Sequence, residues 1–139
     1  MTDALWWPEP AAGEIVWCRF PQDAGKPSKA RPVLVLEVYD DDDPQFHVRV
    51  AFGTSQRIRS LYAGEFLVSR EINPAAYVAA GLSFETKFDL RKLADLPYDS
   101  DWFHVPPAAP HGQSPKLGTL HPSLMLAFQA AYRAANAAA

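Results

Sequence analysis

The chain has 139 residues, of which 48% are hydrophobic and 21% charged, a composition typical of one globular domain with a modest core. Its single cysteine, Cys18, excludes an internal disulfide framework and cannot nucleate a zinc site alone. The net charge of −3 argues mildly against a nucleic-acid-binding protein. Several cations nevertheless lie between residues 19 and 59, so a local basic face can coexist with an acidic whole.

Neither a membrane segment nor a secretion signal is visible in the sequence. No apolar stretch approaches the ~18 residues of a membrane span. The first eight residues lack the basic and apolar regions of a signal peptide. We therefore expect a cytoplasmic protein that does not enter a membrane.

In chain order, the sequence begins with a Pro- and Ala-rich arm over residues 1–12, predicted to dock through Trp6 and Trp7. Short runs of β-sheet composition follow, and they predict strands at 14–20, 31–39, 46–52, 66–68 and 84–90. The second strand contains the continuous apolar run Val33–Leu36, which predicts burial on both faces of the sheet. The third strand alternates, as expected of its hairpin partner across an acidic turn at 40–44.

Helix signals appear twice in the second half of the chain. Asn73 as N-cap, Pro74 at the first position and Gly81 beyond the end predict a short helix. A second helix is predicted over 122–135, with four residues near one face: Leu124, Phe128, Ala131 and Ala135. The Pro-rich segment 99–118 is predicted to be a loop, after a turn at Pro97.

Short strands at close spacing with few helices predict a mainly β or α+β fold, a small β-barrel with a short inserted helix and a C-terminal helix. We expect residues 1–139 to form a single domain, with 99–139 as a loop and helix extension.

Arg31 stands where a polar loop over residues 22–30 meets the second strand. At the mouth of a small barrel, its guanidinium is well placed to bind a phosphate, since it stays charged and presents two parallel donors. The alternative is a structural salt bridge to Glu14 or Glu37. We favour phosphate binding because of the Arg-Pro pair at this junction.

Thr54 and Asp89 are the other candidates for chemistry. The Thr54 hydroxyl can donate to a phosphate oxygen, or it can bond its own backbone in a turn, which the preceding Gly53 favours. Asp89 lies two residues from Lys87, so the two are predicted to share a strand face. They form either an acid/base pair that keeps Asp89 ionised or an ordinary surface ion pair. The four histidines match no metal-binding spacing.

The ordered motifs of residues 13–56 resemble those of the PemK/MazF toxins. They are Gly13–Trp17, the loop with Ala24–Gly25, Arg31–Leu36 and Gly53–Gln56. Glu85–Leu90 fits a later family strand more loosely. The loop over residues 24–28 differs from the family, since it has neither the His nor the Glu that often assists proton transfer there.

This resemblance implies an SH3-like β-barrel that dimerises and cuts single-stranded RNA without a metal or cofactor, by transferring the phosphodiester to the neighbouring 2′-hydroxyl. It maps the catalytic residues to Arg31, Thr54 and Asp89. The residues predicted to contact RNA are Lys26, Lys29, Ser55, Gln56, Arg57 and Lys87. A cognate antitoxin is the implied protein partner, with a disordered acidic segment in the groove near Arg31.

Two other functions stay open at this point. The same barrel can bind RNA or protein without cleaving it. The loop that differs from the family and the net negative charge of the chain favour this alternative. Toxins of this barrel type can also poison gyrase.

Overall fold

The computed structural model describes residues 7–21, 29–39 and 46–137, and in these residues the fold is mainly β. Six strands form one curled antiparallel sheet in the order β4-β5-β3-β2-β1-β6. The strands are β1 Glu14–Cys18, β2 Arg31–Tyr39, β3 His47–Thr54, β4 Glu65–Val68, β5 Thr86–Pro97 and β6 Lys116–Thr119. The helices are α1 Pro74–Ala80 and α2 Met125–Ala137, with a 3₁₀ turn at Pro122–Leu124 before α2. The predicted mainly β fold with an inserted and a C-terminal helix is confirmed, in a form consistent with a small β-barrel.

The central hairpin of β2 and β3 follows the prediction from hydrophobic patterning. The two strands pair antiparallel, with one irregularity in the register near Leu36. Val33 and Val35 face one side of the sheet and Leu34 the other, and all three are buried. The expected burial of β2 on both faces is therefore confirmed.

Each face of the sheet supports its own hydrophobic core. The first core contains Leu34 and Phe88 and is covered by the two helices. The second core contains Val33, Phe52 and Phe103 on the opposite face. Two cores on one short chain are possible because the apolar run of β2 contributes to both.

The arm and the helices dock as the sequence predicts, where the structure describes them. The Trp7 ring lies 5.5 Å from that of Tyr98 and packs against the second core. In α1, the Asn73 side chain accepts a hydrogen bond from the Ala76 N–H, and Gly81 adopts the left-handed conformation that ends the helix. The apolar face predicted for α2 packs against the first core.

Two strands differ from the prediction. β5 continues past Leu90 to Pro97, because β3 pairs with it along almost its whole length. β6 lies inside the segment 99–118 that was predicted to be a loop, and extends just beyond it. This four-residue strand pairs with β1. Its third residue is Gly118, which the closely approaching backbone of α1 requires, and a strand this short with a glycine inside it shows no alternating apolar pattern in the sequence.

Several predicted features lie outside the described residues: the acidic turn at 40–44, Trp6 and most of the loop 22–30. Among the helices in the described ranges, none combines the length and apolarity needed to cross a membrane.

Candidate functional site

Arg31 is the first residue of β2 and pairs with Cys18 of β1. Its guanidinium carbon lies 5.0 Å from the centroid of the Phe52 ring, which is a cation–π contact from the neighbouring strand. The Phe52 ring is buried and meets the Phe20 ring edge-on, with 5.2 Å between centroids. The aromatic pair therefore holds the half-buried guanidinium at the edge of the second core.

Arg31 has no carboxylate partner among the residues that the structure describes. The two structural partners considered from the sequence are engaged elsewhere, since Glu14 pairs with Lys116 at 3.7 Å and Glu37 with Arg49 at 3.2 Å. The buried Nε of Arg31 finds no hydrogen-bond acceptor in the described ranges. Burial lowers the pKa of the guanidinium, yet an arginine in a protein stays protonated. The result is a partly desolvated cation, which an anionic ligand would satisfy.

Thr54 ends β3 beside Arg31. The antiparallel register of β2 and β3, continued two residues beyond its last pair, places Arg31 opposite Thr54. The neighbouring residues Pro32 and Gly53 support this alignment, because their backbones are so close that a Cβ on Gly53 would lie 2.3 Å from the carbonyl oxygen of Pro32. Gly53 thus lies within the strand and is required by the backbone of β2, not by a turn as the sequence suggested.

The Thr54 hydroxyl is oriented by the turn that follows β3. Its Oγ1 accepts a hydrogen bond of 3.1 Å from the Gln56 backbone N–H, so its hydrogen remains available to donate. Arg57 adopts a φ of 53°, and its carbonyl accepts a hydrogen bond of 3.1 Å from the Ser60 N–H. A non-glycine residue in this region is uncommon and costs energy. The tight turn leaves Ser55, Gln56 and Arg57 exposed at the strand end.

Lys87 was predicted to contact RNA, and the structure places it out of reach. It lies opposite Thr54 across β3 and β5 but is only 4% exposed. Its Nζ donates to a carboxylate oxygen of Glu65 at 3.1 Å and to the Ser60 carbonyl at 3.0 Å. A buried ammonium needs such partners to offset its desolvation. Lys87 therefore stabilises the end of the turn at Ser60 and is not positioned to bind a ligand.

Asp89 lies opposite Phe52 in the sheet and is 3% exposed. Each of its carboxylate oxygens accepts a hydrogen bond of 2.9 Å from the Arg91 guanidinium, and one also accepts the Arg91 backbone N–H. Burial raises the pKa of this carboxyl, but the hydrogen bonds from Arg91 outweigh it and hold the pKa below its usual value. The ion pair predicted with Lys87 is thus replaced by one with Arg91. These contacts favour a structural role for Asp89 over proton transfer.

The remaining predicted RNA contacts are two lysines. Lys29 is exposed, two residues before β2. Lys26 lies outside the described residues.

Lys92 is a second cation at Phe52 that the sequence did not reveal. Its Nζ lies 4.9 Å from the centroid of the Phe52 ring. The register of β5 explains this position: Asp89 opposes Phe52 whereas Leu93 opposes Ala51, so residues 90–92 form a bulge. A bulge changes where side chains point, and alternation along the strand therefore could not place Lys92.

Other reactive side chains do not form a second centre in the described ranges. Cys18 is buried, and burial raises the pKa of its thiol, which disfavours the reactive thiolate. His121 accepts a hydrogen bond from the Ser123 N–H and caps the 3₁₀ turn. Within residues 7–21, 29–39 and 46–137, no three His, Cys, Asp or Glu side chains are grouped as metal ligands.

The chain matches no protein-family model, and no curated protein matches its sequence.

Proposed function

We propose that this protein is the toxin of a type II toxin–antitoxin system, a cytoplasmic endoribonuclease that cleaves single-stranded RNA without a metal. The observation that carries the proposal is the guanidinium of Arg31, which has no ion-pair partner among the described residues and is held against Phe52 beside the Thr54 hydroxyl. A phosphate bound there would supply both a counter-charge and an acceptor for the buried Nε. RNA presents one phosphate for each nucleotide, with a 2′-hydroxyl next to it.

In the proposed reaction, the 2′-oxygen of one ribose attacks the adjacent phosphorus. The bond to the 5′-oxygen of the next nucleotide breaks, and a 2′,3′-cyclic phosphate remains. Arg31 donates two parallel hydrogen bonds to the non-bridging oxygens as negative charge grows on them, and Thr54 donates a third. Because Phe52 fixes the guanidinium before RNA binds, little reorganisation accompanies the reaction.

The proton transfers need a base for the 2′-hydroxyl and an acid for the leaving 5′-oxygen. Asp89 does not suit either role, because three hydrogen bonds from Arg91 hold it ionised. The loop over residues 24–28 has no His or Glu in its sequence. We therefore assign both proton transfers to water and the stabilisation of the transition state to Arg31 and Thr54.

The proposal includes a homodimer and an antitoxin. Trp17 is partly buried where it packs against the first core, and Phe20 is buried, so neither provides the exposed apolar surface of an interface. Three of the most exposed large apolar side chains are Ile72, Val78 and Leu126. Exposed apolar surface of this kind favours an interface. An acidic antitoxin segment would compete with RNA, since a carboxylate satisfies the Arg31 guanidinium as a phosphate does.

A second candidate is a module that binds RNA at Arg31 and does not cleave it. The ion pair between Asp89 and Arg91 favours this function, because it removes a carboxylate from acid/base chemistry. The two candidates differ in one measurable property, which is the appearance of a 2′,3′-cyclic end.

The experiment incubates purified protein with single-stranded RNA of mixed sequence in excess EDTA and identifies the product ends by mass spectrometry. We expect cleavage by the wild type and a loss of about 10²–10³-fold in rate for Arg31→Ala. Arg49→Ala is the matched control, because the Arg49 guanidinium is already paired with Glu37 and Asp95. Binding without cleavage would support the second candidate. Cleavage that stops in EDTA and returns with magnesium, or a fully active Arg31→Ala protein, would contradict the proposal.

A further inference from the structure

Two cations share the buried ring of Phe52. The Arg31 guanidinium carbon lies 5.0 Å from the ring centroid and the Lys92 Nζ lies 4.9 Å from it. The two positive charges are therefore within about 10 Å of each other, which is about one Debye length at physiological salt. At this separation they repel each other in the absence of a ligand and can act together on a bound anion.

Neither Arg31 nor Lys92 forms an ion pair with a carboxylate in the described part of the chain, although the charge of Lys92 is among those that lower the pKa of Asp89. The nearest acid in the register is Asp89, opposite Phe52, and its two oxygens are already bound by Arg91. Glu65 likewise pairs with Lys87 and Arg91. Asp89 and Glu65 are thus ion-paired with Arg91 and Lys87, and among the described residues Arg31 and Lys92 add two further positive charges beside Phe52.

The bulge of β5 is what brings Lys92 to this position. Residues 90–92 have no partners opposite them on β3, so the strand departs from regular alternation where it passes Phe52. Bulges occur preferentially at sheet edges and next to active sites, where they direct a side chain to a new position. Here the bulge places an exposed ammonium beside a guanidinium fixed by the same ring.

We propose that Lys92 is the second phosphate-binding cation of the Arg31 site, and that the site favours a phosphorus centre with two negative charges over one with a single charge. The inference rests on the proposed function and deepens it. A phosphodiester in RNA carries one negative charge, whereas the phosphorane formed during cleavage carries two. A second cation therefore stabilises the transition state more than the bound substrate, which is the condition for faster chemistry.

The binding test compares methyl phosphate, a dianion at pH 7.5 because its second pKa is near 6, with dimethyl phosphate, a monoanion. Each is titrated at low ionic strength, with the backbone amide shifts of the protein followed by NMR. We expect the wild type to bind methyl phosphate roughly tenfold more tightly or better, the size of one charge-assisted contact. Lys92→Met should lose this preference and Lys92→Arg should keep it. Lys116→Met is the matched control and should behave as the wild type, since Lys116 pairs with Glu14.

Lys92 is exposed, so its variants should fold, and a thermal melt of each verifies this. Lys92→Gln provides a second neutral side chain in case the Lys92→Met protein forms oligomers. Equal affinity for the two phosphates in the wild type would overturn the inference. A preference that survives in both neutral variants would overturn it as well.

Cleavage kinetics separate this inference from the proposed function. If the wild type cleaves RNA, Lys92→Met should lower kcat by roughly tenfold with little change in KM, because the added charge develops only in the transition state. Cleavage by the wild type with kcat unchanged in Lys92→Met would refute the role of Lys92 and leave the function standing. Absence of cleavage together with a Lys92-dependent preference for methyl phosphate would refute the function and leave the dianion site standing.

Discussion

Pro32 and Gly53 approach each other across β2 and β3 so closely that no side chain fits at position 53. A Cβ on Gly53 would lie 2.3 Å from the Pro32 carbonyl oxygen and 2.9 Å from a ring carbon of Phe88. Arg31 and Thr54 are the immediate neighbours of these two residues. The contact between two backbones thus sets the spacing between the proposed phosphate-binding cation and the hydroxyl.

Gly53→Ala should therefore affect both stability and the site. The added methyl group forces the backbone of β2 away or displaces the Phe88 ring, and such overpacking typically costs about 1–3 kcal/mol. We expect a lower free energy of unfolding in urea and a slower cleavage reaction in the folded variant. An unfolding midpoint and a cleavage rate equal to those of the wild type would show that β2 can move without cost, and that the spacing of Arg31 and Thr54 is not fixed here.

Thr54→Val should reduce cleavage more than stability. Valine keeps the shape and the β preference of threonine, and the hydroxyl alone is lost, together with the acceptor for the Gln56 N–H. Removal of one donor to the developing charge predicts a fall of about 10²-fold in kcat. Thr119→Val, at an exposed position in β6, is the matched control. Normal cleavage by Thr54→Val would reduce Thr54 to a turn residue and make Ser55 the next candidate.

The parts of the fold that the sequence predicted are those with strong local signals. The apolar run of β2, the alternation of β3 and the caps Asn73 and Gly81 all depend on neighbours in the chain, and each was placed correctly. β6 and the far half of β5 depend on pairing with distant strands. The sequences of residues 116–119 and 91–97 show no periodicity that indicates this pairing, so the prediction omitted β6 and the second half of β5.

The same distinction applies to the site. Arg31 and Thr54 were predicted from motifs within residues 13–56, and the structure brings them to adjoining strand ends. Lys87 and Asp89 were predicted to pair because they are two apart on a strand. The structure gives each a different partner, Glu65 of β4 for Lys87 and Arg91 of the β5 bulge for Asp89. The consecutive cations at 91 and 92 interrupt the alternation of the strand, and this was the available sign of the bulge.

Lys87→Met should be strongly destabilising, because it removes the closest cation from the buried Glu65 carboxylate, which keeps the Tyr62 N–H at 2.8 Å and a longer ionic contact of 3.6 Å from Arg91. Breaking one partner of a buried pair typically costs about 3–5 kcal/mol. Lys116→Met removes a more exposed pair and should cost about 0–1 kcal/mol. Urea unfolding of the two variants provides the comparison. An equal loss of unfolding free energy in the two variants would mean that the buried ion pair stabilises the protein no more than the exposed one.

Acid should destabilise the protein through carboxylates that are bound in the folded state. The hydrogen bonds from Arg49, at 2.8 and 3.1 Å, lower the pKa of Asp95. At Asp89 burial raises the pKa, but the bonds from Arg91 prevail and lower it. Both pKa values lie below the unfolded value of about 3.9. The unfolded chain therefore binds more protons in acid, and the stabilisation is complete above about pH 5 and is lost as the pH falls through the folded pKa values.

Urea midpoints measured between pH 7 and pH 2.5 test this dependence. The wild type should lose stability steadily below about pH 4. Asp95→Asn should be less stable than the wild type at pH 7, because the ion pair with Arg49 is gone, and should lose less on acidification, so that the two curves converge. Asp101→Asn is the matched control, because the Asp101 carboxylate has no partner among the described residues. Its curve should run parallel to that of the wild type. A midpoint for Asp95→Asn that stays the same distance below the wild type down to pH 2.5 would show that Asp95 does not contribute to the acid dependence.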